Sequence, residues 1–100
     1  MTTRQLRRYT MIPERFDEFL AWYFAGVPAI RAEFGFTVEW CVVDREHERF
    51  DWLVSHPGGP DEFLAAEREF EASEVWTGYL ARVRPSLVGL EASFVELVVP

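Results

Sequence analysis

Apolar and polar residues alternate along much of the chain with the two-residue period that is typical of β-strands. The pattern predicts a first strand over residues 5 to 11, a second over 36 to 43 and a third over 50 to 56. A closing strand is predicted over residues 88 to 99, which are rich in β-branched and aromatic side chains. The charged run 44 to 49 predicts a hairpin loop between the second and third strands.

Other segments repeat apolar residues every three or four positions, which is the period of an amphipathic helix. A long helix is predicted from Pro13, with a kink or restart near Pro28 and a left-handed end at Gly35. A second helix follows Asp61 as a candidate cap, and a third, short helix starts at Ser73. This β-α-β-β-α-β order is that of a ferredoxin-like α+β fold with an antiparallel sheet.

A single domain over residues 1–100 is the expected size for this order of elements. Strict alternation in the second strand places Phe36, Val38, Trp40 and Val42 together on one face. Both faces of the strands carry large apolar groups, whereas the helices can cover only one. We therefore expect a homodimer that buries the uncovered sheet face.

Composition narrows the possible partners and the compartment. The chain is 49% hydrophobic and 16% aromatic, which suits a packed core and excludes disorder. Its formal net charge of -7 disfavours nucleic acid and anionic membranes as partners. No segment has the apolar length of a signal peptide or a membrane span, so we expect a soluble, cytoplasmic protein.

Few residues offer metal or cofactor chemistry. Cys41 is the only cysteine, so it can form no intramolecular disulfide and no cysteine metal cage. Of the two histidines, His47 lies in the charged hairpin loop, where we expect it to be exposed, and no phosphate-binding glycine motif occurs. We predict neither a metal site nor a cofactor.

Several short motifs resemble the NIPSNAP family. The opening strand of that family commonly reads Tyr-Glu-Leu-Arg-x-Tyr-x-Leu, and the segment Leu6–Met11 is similar to it. Gly26–Pro28 near the end of the long helix, Gly35–Phe36 after it and Glu74–Trp76 also look like the family. One departure is Pro13–Glu14, where the family usually has Pro-Gly. The likeness covers nearly the whole chain.

The resemblance implies a ferredoxin-like domain of the dimeric α/β-barrel superfamily, in which two protomers bring their sheets face to face. Relatives in that superfamily include cofactor-independent monooxygenases of polycyclic aromatic substrates. Others degrade or bind haem, isomerise lactones or transform chlorite. The NIPSNAP family itself has no single agreed activity, so the resemblance indicates architecture more than chemistry.

The best candidate site residues lie on the first strand, where Arg7 and Tyr9 alternate onto one face. In a functional interpretation, Arg7 holds an anionic group of a ligand and Tyr9 donates a hydrogen bond beside an apolar pocket. In a structural interpretation, Arg7 pairs with a carboxylate such as Glu39 or Glu96 and fixes the geometry of the sheet or dimer.

The aromatic residues suggest what such a pocket would hold. Four tryptophans in 100 residues are unusual, and three of them are candidates to line a flat cavity for an apolar or aromatic ligand. These are Trp40, Trp52 and Trp76, accompanied by Phe50 and Phe94. The alternative is an ordinary aromatic core.

His56 is the remaining candidate for catalysis, as a general base or an axial haem ligand, although no partner for its second nitrogen can be assigned. If the pocket is catalytic, the resemblance favours cofactor-independent oxygenation or isomerisation. His56 or Tyr9 would then move the proton, and Arg7 would stabilise the oxyanion. The competing hypothesis is a non-catalytic interaction or assembly protein, in which Trp and Phe fill the space between sheet and helices.

Overall fold

Four strands form one antiparallel sheet, and three helices lie against it, in a computed structural model that describes residues 1–100. The strands are β1 (Thr2–Met11), β2 (Thr37–Asp44), β3 (Arg49–Pro57) and β4 (Leu87–Val95). The helices are α1 (Phe16–Glu33), α2 (Pro60–Ala72) and α3 (Glu74–Leu80). None of the helices combines the length and apolar character needed to cross a membrane.

The strand order β2-β3-β1-β4 places β1 and β3 in the centre of the sheet. β1 pairs with β3 on one side and with β4 on the other, and β3 also pairs with β2. Each helical connection therefore joins two strands that have a third strand between them, which is the split βαβ arrangement. The predicted ferredoxin-like α+β fold is confirmed.

Two helix boundaries were predicted well. Ser73 caps α3, because its Oγ accepts a hydrogen bond from the backbone N–H of Trp76 at 3.3 Å. Gly35 follows α1 with a φ of 87°, the left-handed conformation expected after that helix.

Other predicted boundaries were wrong. A 3-10 turn precedes α1, and the helix then runs through Pro28 without a restart. Phe24, whose carbonyl loses its helical partner at Pro28, lies on the exposed side of the helix, so water can bond that carbonyl. α2 is capped by Gly59 rather than Asp61, with the Glu62 side chain accepting from the Gly59 N–H at 3.2 Å.

The closing strand is shorter than predicted. β4 ends at Val95, which lies opposite Arg4. Arg4 is the residue nearest the start of β1 that still pairs with β4. The remaining residues of β1, Thr2 and Thr3, pair only with β3. Residues 96–100 consequently have no neighbouring strand with which to form hydrogen bonds, although their composition favours β-structure.

An irregularity in β2 changes which of its side chains share a face. Val38 lies opposite Val54, but Trp40 lies opposite Leu53, so an extra residue is inserted at Glu39. The predicted grouping of Trp40 with Val38 is therefore wrong. Downstream of the bulge, Trp40 projects to the face of the sheet opposite the helices.

The core lies between the sheet and the helices and is predominantly aromatic. Its largest fully buried side chains are Trp52, Tyr23, Phe50, Phe63, Phe70 and Met11. Many of these rings meet edge to face, which is the favourable geometry for aromatic pairs.

The other face of the sheet, which we call the open face, has no helix on it. Leu53 lies there between Leu6 and Trp40 of the neighbouring strands. The side chain of Trp40 is 42% exposed and that of Val42 is 53% exposed. Leu53 is itself buried by its neighbours, but Trp40 and Val42 are apolar groups on the open face that no element of the chain covers.

Reciprocal contacts fasten α3 to α1. The rings of Trp22 and Tyr79 stack with centroids 5.0 Å apart, and Trp22 Nε1 donates to the Tyr79 carbonyl at 3.0 Å. The Tyr79 hydroxyl in turn donates to the Trp22 carbonyl. Gly26 makes this approach possible, because a Cβ there would lie 2.7 Å from Tyr79 Cε1, well inside contact distance.

We predict that Gly26→Ala destabilises the protein while Gly78→Ala does not. Both glycines are helical, but nothing lies within 4 Å of a Cβ at Gly78. Gly78→Ala should stabilise by up to about 1 kcal/mol through helix propensity. Gly26→Ala should cost about 2 kcal/mol, because the Tyr79 ring must move. Urea unfolding measures both, and equal shifts in the two variants would contradict the close α1–α3 contact.

Candidate functional site

A cavity of about 420 Å³ separates the sheet from the helices beneath α3 and the segment that joins α3 to β4. It is partly open to solvent, and eleven of its sixteen lining residues are hydrophobic. A volume of this size is sufficient for a small ligand.

Three tryptophans form much of the apolar wall. Trp22 comes from α1, Trp52 from β3 and Trp76 from α3, and the Trp22 and Trp76 rings lie 5.9 Å apart. The structure thus brings two of the predicted residues, Trp52 and Trp76, to the cavity. Trp40 does not reach it, because the bulge in β2 turns that side chain to the open face.

The two phenylalanines predicted to accompany the tryptophans lie outside the cavity lining. Phe50 is fully buried in the core against Tyr23, with ring centroids 4.9 Å apart. Phe94 packs against Phe63 on α2 at 5.3 Å. Phe50 therefore belongs to the aromatic core, whereas Phe94 is 43% exposed.

Arg7 and Tyr9 form a polar end of the cavity, where β1 faces the helices. Arg7 Nε donates to the Tyr9 hydroxyl oxygen at 3.0 Å, and Nη1 donates to Gln5 Oε1 at 3.0 Å. Neither carboxylate named in the structural interpretation holds Arg7, since Glu39 pairs with Arg4 at 2.8 Å. The nearest carboxylate is Glu67, whose Oε1 lies 4.0 Å from Arg7 Nη1.

Arg31 and Glu67 form a buried ion pair that the sequence interpretation missed. The carboxylate accepts from both terminal nitrogens of Arg31, at 2.5 and 3.1 Å. The Arg31 side chain is only 3% exposed, and its guanidinium lies over the rings of Phe70 at 4.1 Å and Phe36 at 4.9 Å. One signal was present in the sequence: Arg31 follows Val27 by four positions, within the apolar stripe of α1.

His56 lies away from the cavity. Its Nδ1 is 2.8 Å from the Pro57 carbonyl and its Nε2 is 3.1 Å from the Phe34 carbonyl. The ring packs edge to face against Phe36 with centroids 4.9 Å apart. Because both nitrogens face backbone oxygens and the ring does not line the cavity, we leave His56 out of the candidate site.

Tyr23 and Cys41 meet beside the cavity, with Cys41 Sγ 3.8 Å from the Tyr23 hydroxyl. Burial raises the pKa of Tyr23 far above its ordinary value, and the neighbouring thiol raises it further. The Tyr23 hydroxyl therefore stays protonated. Burial also raises the pKa of Cys41, against a smaller lowering by its bond to Tyr23.

The lining contains no histidine and no carboxylate side chain. It has no side chain suited to accept a proton from a substrate, whereas Arg7 and Tyr9 are suited to donate hydrogen bonds. The chain also holds no group of three or more His, Cys, Asp or Glu side chains placed to bind a metal ion. The arrangement is that of an apolar pocket with a donor-rich end.

Solved structures share this architecture. An uncharacterized NIPSNAP domain protein from Burkholderia xenovorans superposes with a TM-score of 0.81 at 17% identity, covering 98% of this chain and 95% of its own. A NIPSNAP family protein from Agrobacterium tumefaciens gives 0.83 at 12% identity, with coverages of 98% and 94%. The chain has the NIPSNAP fold. The resemblance seen in the sequence motifs is thereby confirmed at the level of the fold.

A third protein, named as a candidate antibiotic biosynthesis monooxygenase from Bacteroides thetaiotaomicron, is similar at a TM-score of 0.72 and 21% identity. It covers 99% of this chain and 91% of its own. No family model matches the sequence, and no curated protein does. Sequence identities this low show that the NIPSNAP fold is shared and do not show a shared activity.

We predict that the Cys41 thiol reacts slowly with iodoacetamide at about pH 8, and that its rate still rises above that pH. Its raised pKa means that the folded state opposes thiolate formation. The corresponding contribution to stability is therefore present below the thiol's ordinary pKa and is lost as pH rises.

A matched control places the thiol at an exposed position away from the open face. In the double variant Cys41→Ser with Leu64→Cys, the cysteine lies on α2 at a position that is 41% exposed. That thiol should react with iodoacetamide at the rate of a cysteine in the protein unfolded in urea. Equal rates for Cys41 and the control would contradict the burial of Cys41.

Proposed function

We propose that this protein binds a small, largely apolar ligand, with an aromatic body, in the cavity between its sheet and helices. One observation carries the proposal: a cavity of about 420 Å³ is walled by Trp22, Trp52 and Trp76, with Arg7 and Tyr9 at one end. Flat aromatic walls favour a flat aromatic ligand through stacking and edge contacts. A few polar groups at one end fix its orientation.

The competing interaction hypothesis required Trp and Phe to fill the space between sheet and helices. The open cavity in that place favours ligand binding. Leaving apolar side chains without neighbours forfeits dispersion contacts, so an unfilled cavity is costly unless a ligand occupies it.

A second candidate function is cofactor-independent oxygenation or isomerisation of such a ligand. The fold is shared with the candidate monooxygenase described above, and Arg7 with Tyr9 would stabilise an enolate or phenolate oxygen. Since the lining offers no proton acceptor, the substrate would have to ionise before it enters. Anthrone, which has an acidic C–H, tests the oxygenation: unchanged oxygen consumption on adding the protein would remove that reaction.

We predict that the protein binds the neutral fluorescent probe N-phenyl-1-naphthylamine and that Leu90→Trp weakens this binding by about tenfold or more. Leu90 lies on β4 opposite Tyr9 and lines the cavity, so an indole there occupies the space that the probe needs. Probe fluorescence, which rises in an apolar site, measures the affinity.

The control is Val88→Trp, which adds the same indole to the same strand at a position that is 69% exposed and outside the lining. This variant should bind the probe like the unmodified protein. If the unmodified protein does not bind the probe, or if Leu90→Trp binds it equally well, the cavity is not the ligand site.

The open face carries a second proposal, that two copies of the chain pair through their sheets. Apolar groups on this face, with Trp40 42% exposed, have no cover within the chain. A second copy would bury them, and exposed apolar groups on a sheet face favour a partner layer.

We predict that Trp40→Asp converts the protein from a dimer to a monomer, since a carboxylate that replaces the indole in the interface would be buried without a partner. Light scattering during size-exclusion chromatography measures the mass. Leu64→Asp is the control, because Leu64 is similarly exposed, at 41%, but lies on α2. A monomeric unmodified protein, or monomers from both variants, would contradict pairing through the open face.

A further inference from the structure

The polar end of the cavity carries more positive than negative charge. Arg7 and Arg31 both approach Glu67, at 4.0 Å and 2.5 Å, so two guanidinium groups share one carboxylate and one positive charge is left over. Both are shielded from solvent, with side chains 15% and 3% exposed. Shielding strengthens the field of the uncompensated charge.

Hydrogen-bond donors also outnumber acceptors there. The Tyr9 hydroxyl accepts from Arg7 Nε, so its own proton is directed elsewhere and has no acceptor in the protein. Arg7 Nη2 likewise makes no hydrogen bond within the protein. Beside them, Arg31 Nε and Trp52 Nε1 are buried without a partner. Unpaired buried donors are unusual in proteins, and these two are close to Arg7, because the Arg7 and Arg31 guanidinium groups each lie 5.3 Å from the Trp52 ring.

A group that complements this end of the cavity must therefore carry negative charge and accept hydrogen bonds. We propose that the ligand is an aromatic monoanion, whose charged oxygen accepts from Arg7 Nη2 and from the Tyr9 hydroxyl while its rings lie among the tryptophans. This inference rests on the proposed function of the cavity. A carboxylate suits the site because its two oxygens can take the two free donors, and the single excess positive charge matches a single negative one.

Other charged groups do not serve this purpose. Arg84 lies at the cavity but is held by Glu18 at 2.5 Å, and both side chains are well exposed to solvent. A cationic ligand would meet Arg7 and Arg31 without a free carboxylate, since Glu67 is already engaged by Arg31. The apolar remainder of the lining disfavours a ligand with several charges.

The test compares two probes of nearly equal shape, 2-naphthoate and neutral 2-naphthamide, as competitors of N-phenyl-1-naphthylamine. The intact protein should release the fluorescent probe at a concentration of 2-naphthoate about tenfold lower, or more, than of 2-naphthamide. The preference should survive added salt, because a buried charge is screened less than a surface one.

Three variants locate the preference. Arg7→Met should bring the ratio of the naphthoate and naphthamide affinities close to one. Tyr9→Phe, which removes the free O–H donor together with the acceptor of Arg7 Nε, should reduce that ratio several-fold. Arg8→Met is the matched control, since Arg8 is the next residue of β1 and points to the open face; it should keep the ratio of the unmodified protein. Tyr9→Phe also guards against misfolding, because it keeps the buried ring.

The outcomes separate this inference from the proposed function. Displacement of the fluorescent probe by both competitors at equal concentration would overturn the monoanion and leave the cavity as the ligand site. If Arg7→Met still preferred 2-naphthoate to 2-naphthamide as strongly as the unmodified protein does, the inference would also be overturned, since the carboxylate would then bind elsewhere. Failure of the fluorescent probe to bind at all would remove the ligand site, and the monoanion with it.

Discussion

The buried pair of Arg31 and Glu67 is the interaction on which the site depends. It ties α1 to α2, and moving two charges out of water costs several kcal/mol for each ion. Two hydrogen bonds from one guanidinium to one carboxylate offset part of that cost, and the rings of Phe36 and Phe70 around Arg31 offset more. Because Glu67 is committed to Arg31, it neutralises Arg7 only at a distance, and the cavity keeps a positive end.

The cavity itself follows from the way α3 is attached. Trp22 and Tyr79 bond each other's backbone carbonyls across α1 and α3, and Gly26 lets the two helices approach. This contact holds the short helix beside α1 and leaves space beneath it, where a fully packed interior would gain dispersion contacts. Under the proposed function, the arrangement gives up packing stability in exchange for a place to bind a ligand, as functional sites commonly do.

The strand and helix pattern could be predicted from the sequence because one face of each element is buried and its period is visible. The alternation of Arg7 with Tyr9 on β1, and of Phe50 with Trp52 on β3, held because both central strands are regular. The bulge at Glu39 could not be predicted, since nothing in the residue types marks the inserted position, and it moved Trp40 to the open face.

Long-range partners were equally invisible in the sequence. Glu67 lies 36 positions from Arg31, and a glutamate in the middle of a charged helix looks like a solvent-exposed residue. The bonds of His56 to the Phe34 and Pro57 carbonyls depend on how the chain enters and leaves the sheet, which no local pattern shows.

We expect the partly open cavity, with its positive and donor-rich end, to receive an anionic aromatic ligand. The most direct measurement is a crystal structure of the protein with 2-naphthoate. We expect the carboxylate oxygens within hydrogen-bond distance of Arg7 Nη2 and the Tyr9 hydroxyl, with the rings against Trp52 and Trp76. A cavity filled by protein side chains, or 2-naphthoate bound there with its carboxylate directed to solvent, would contradict it.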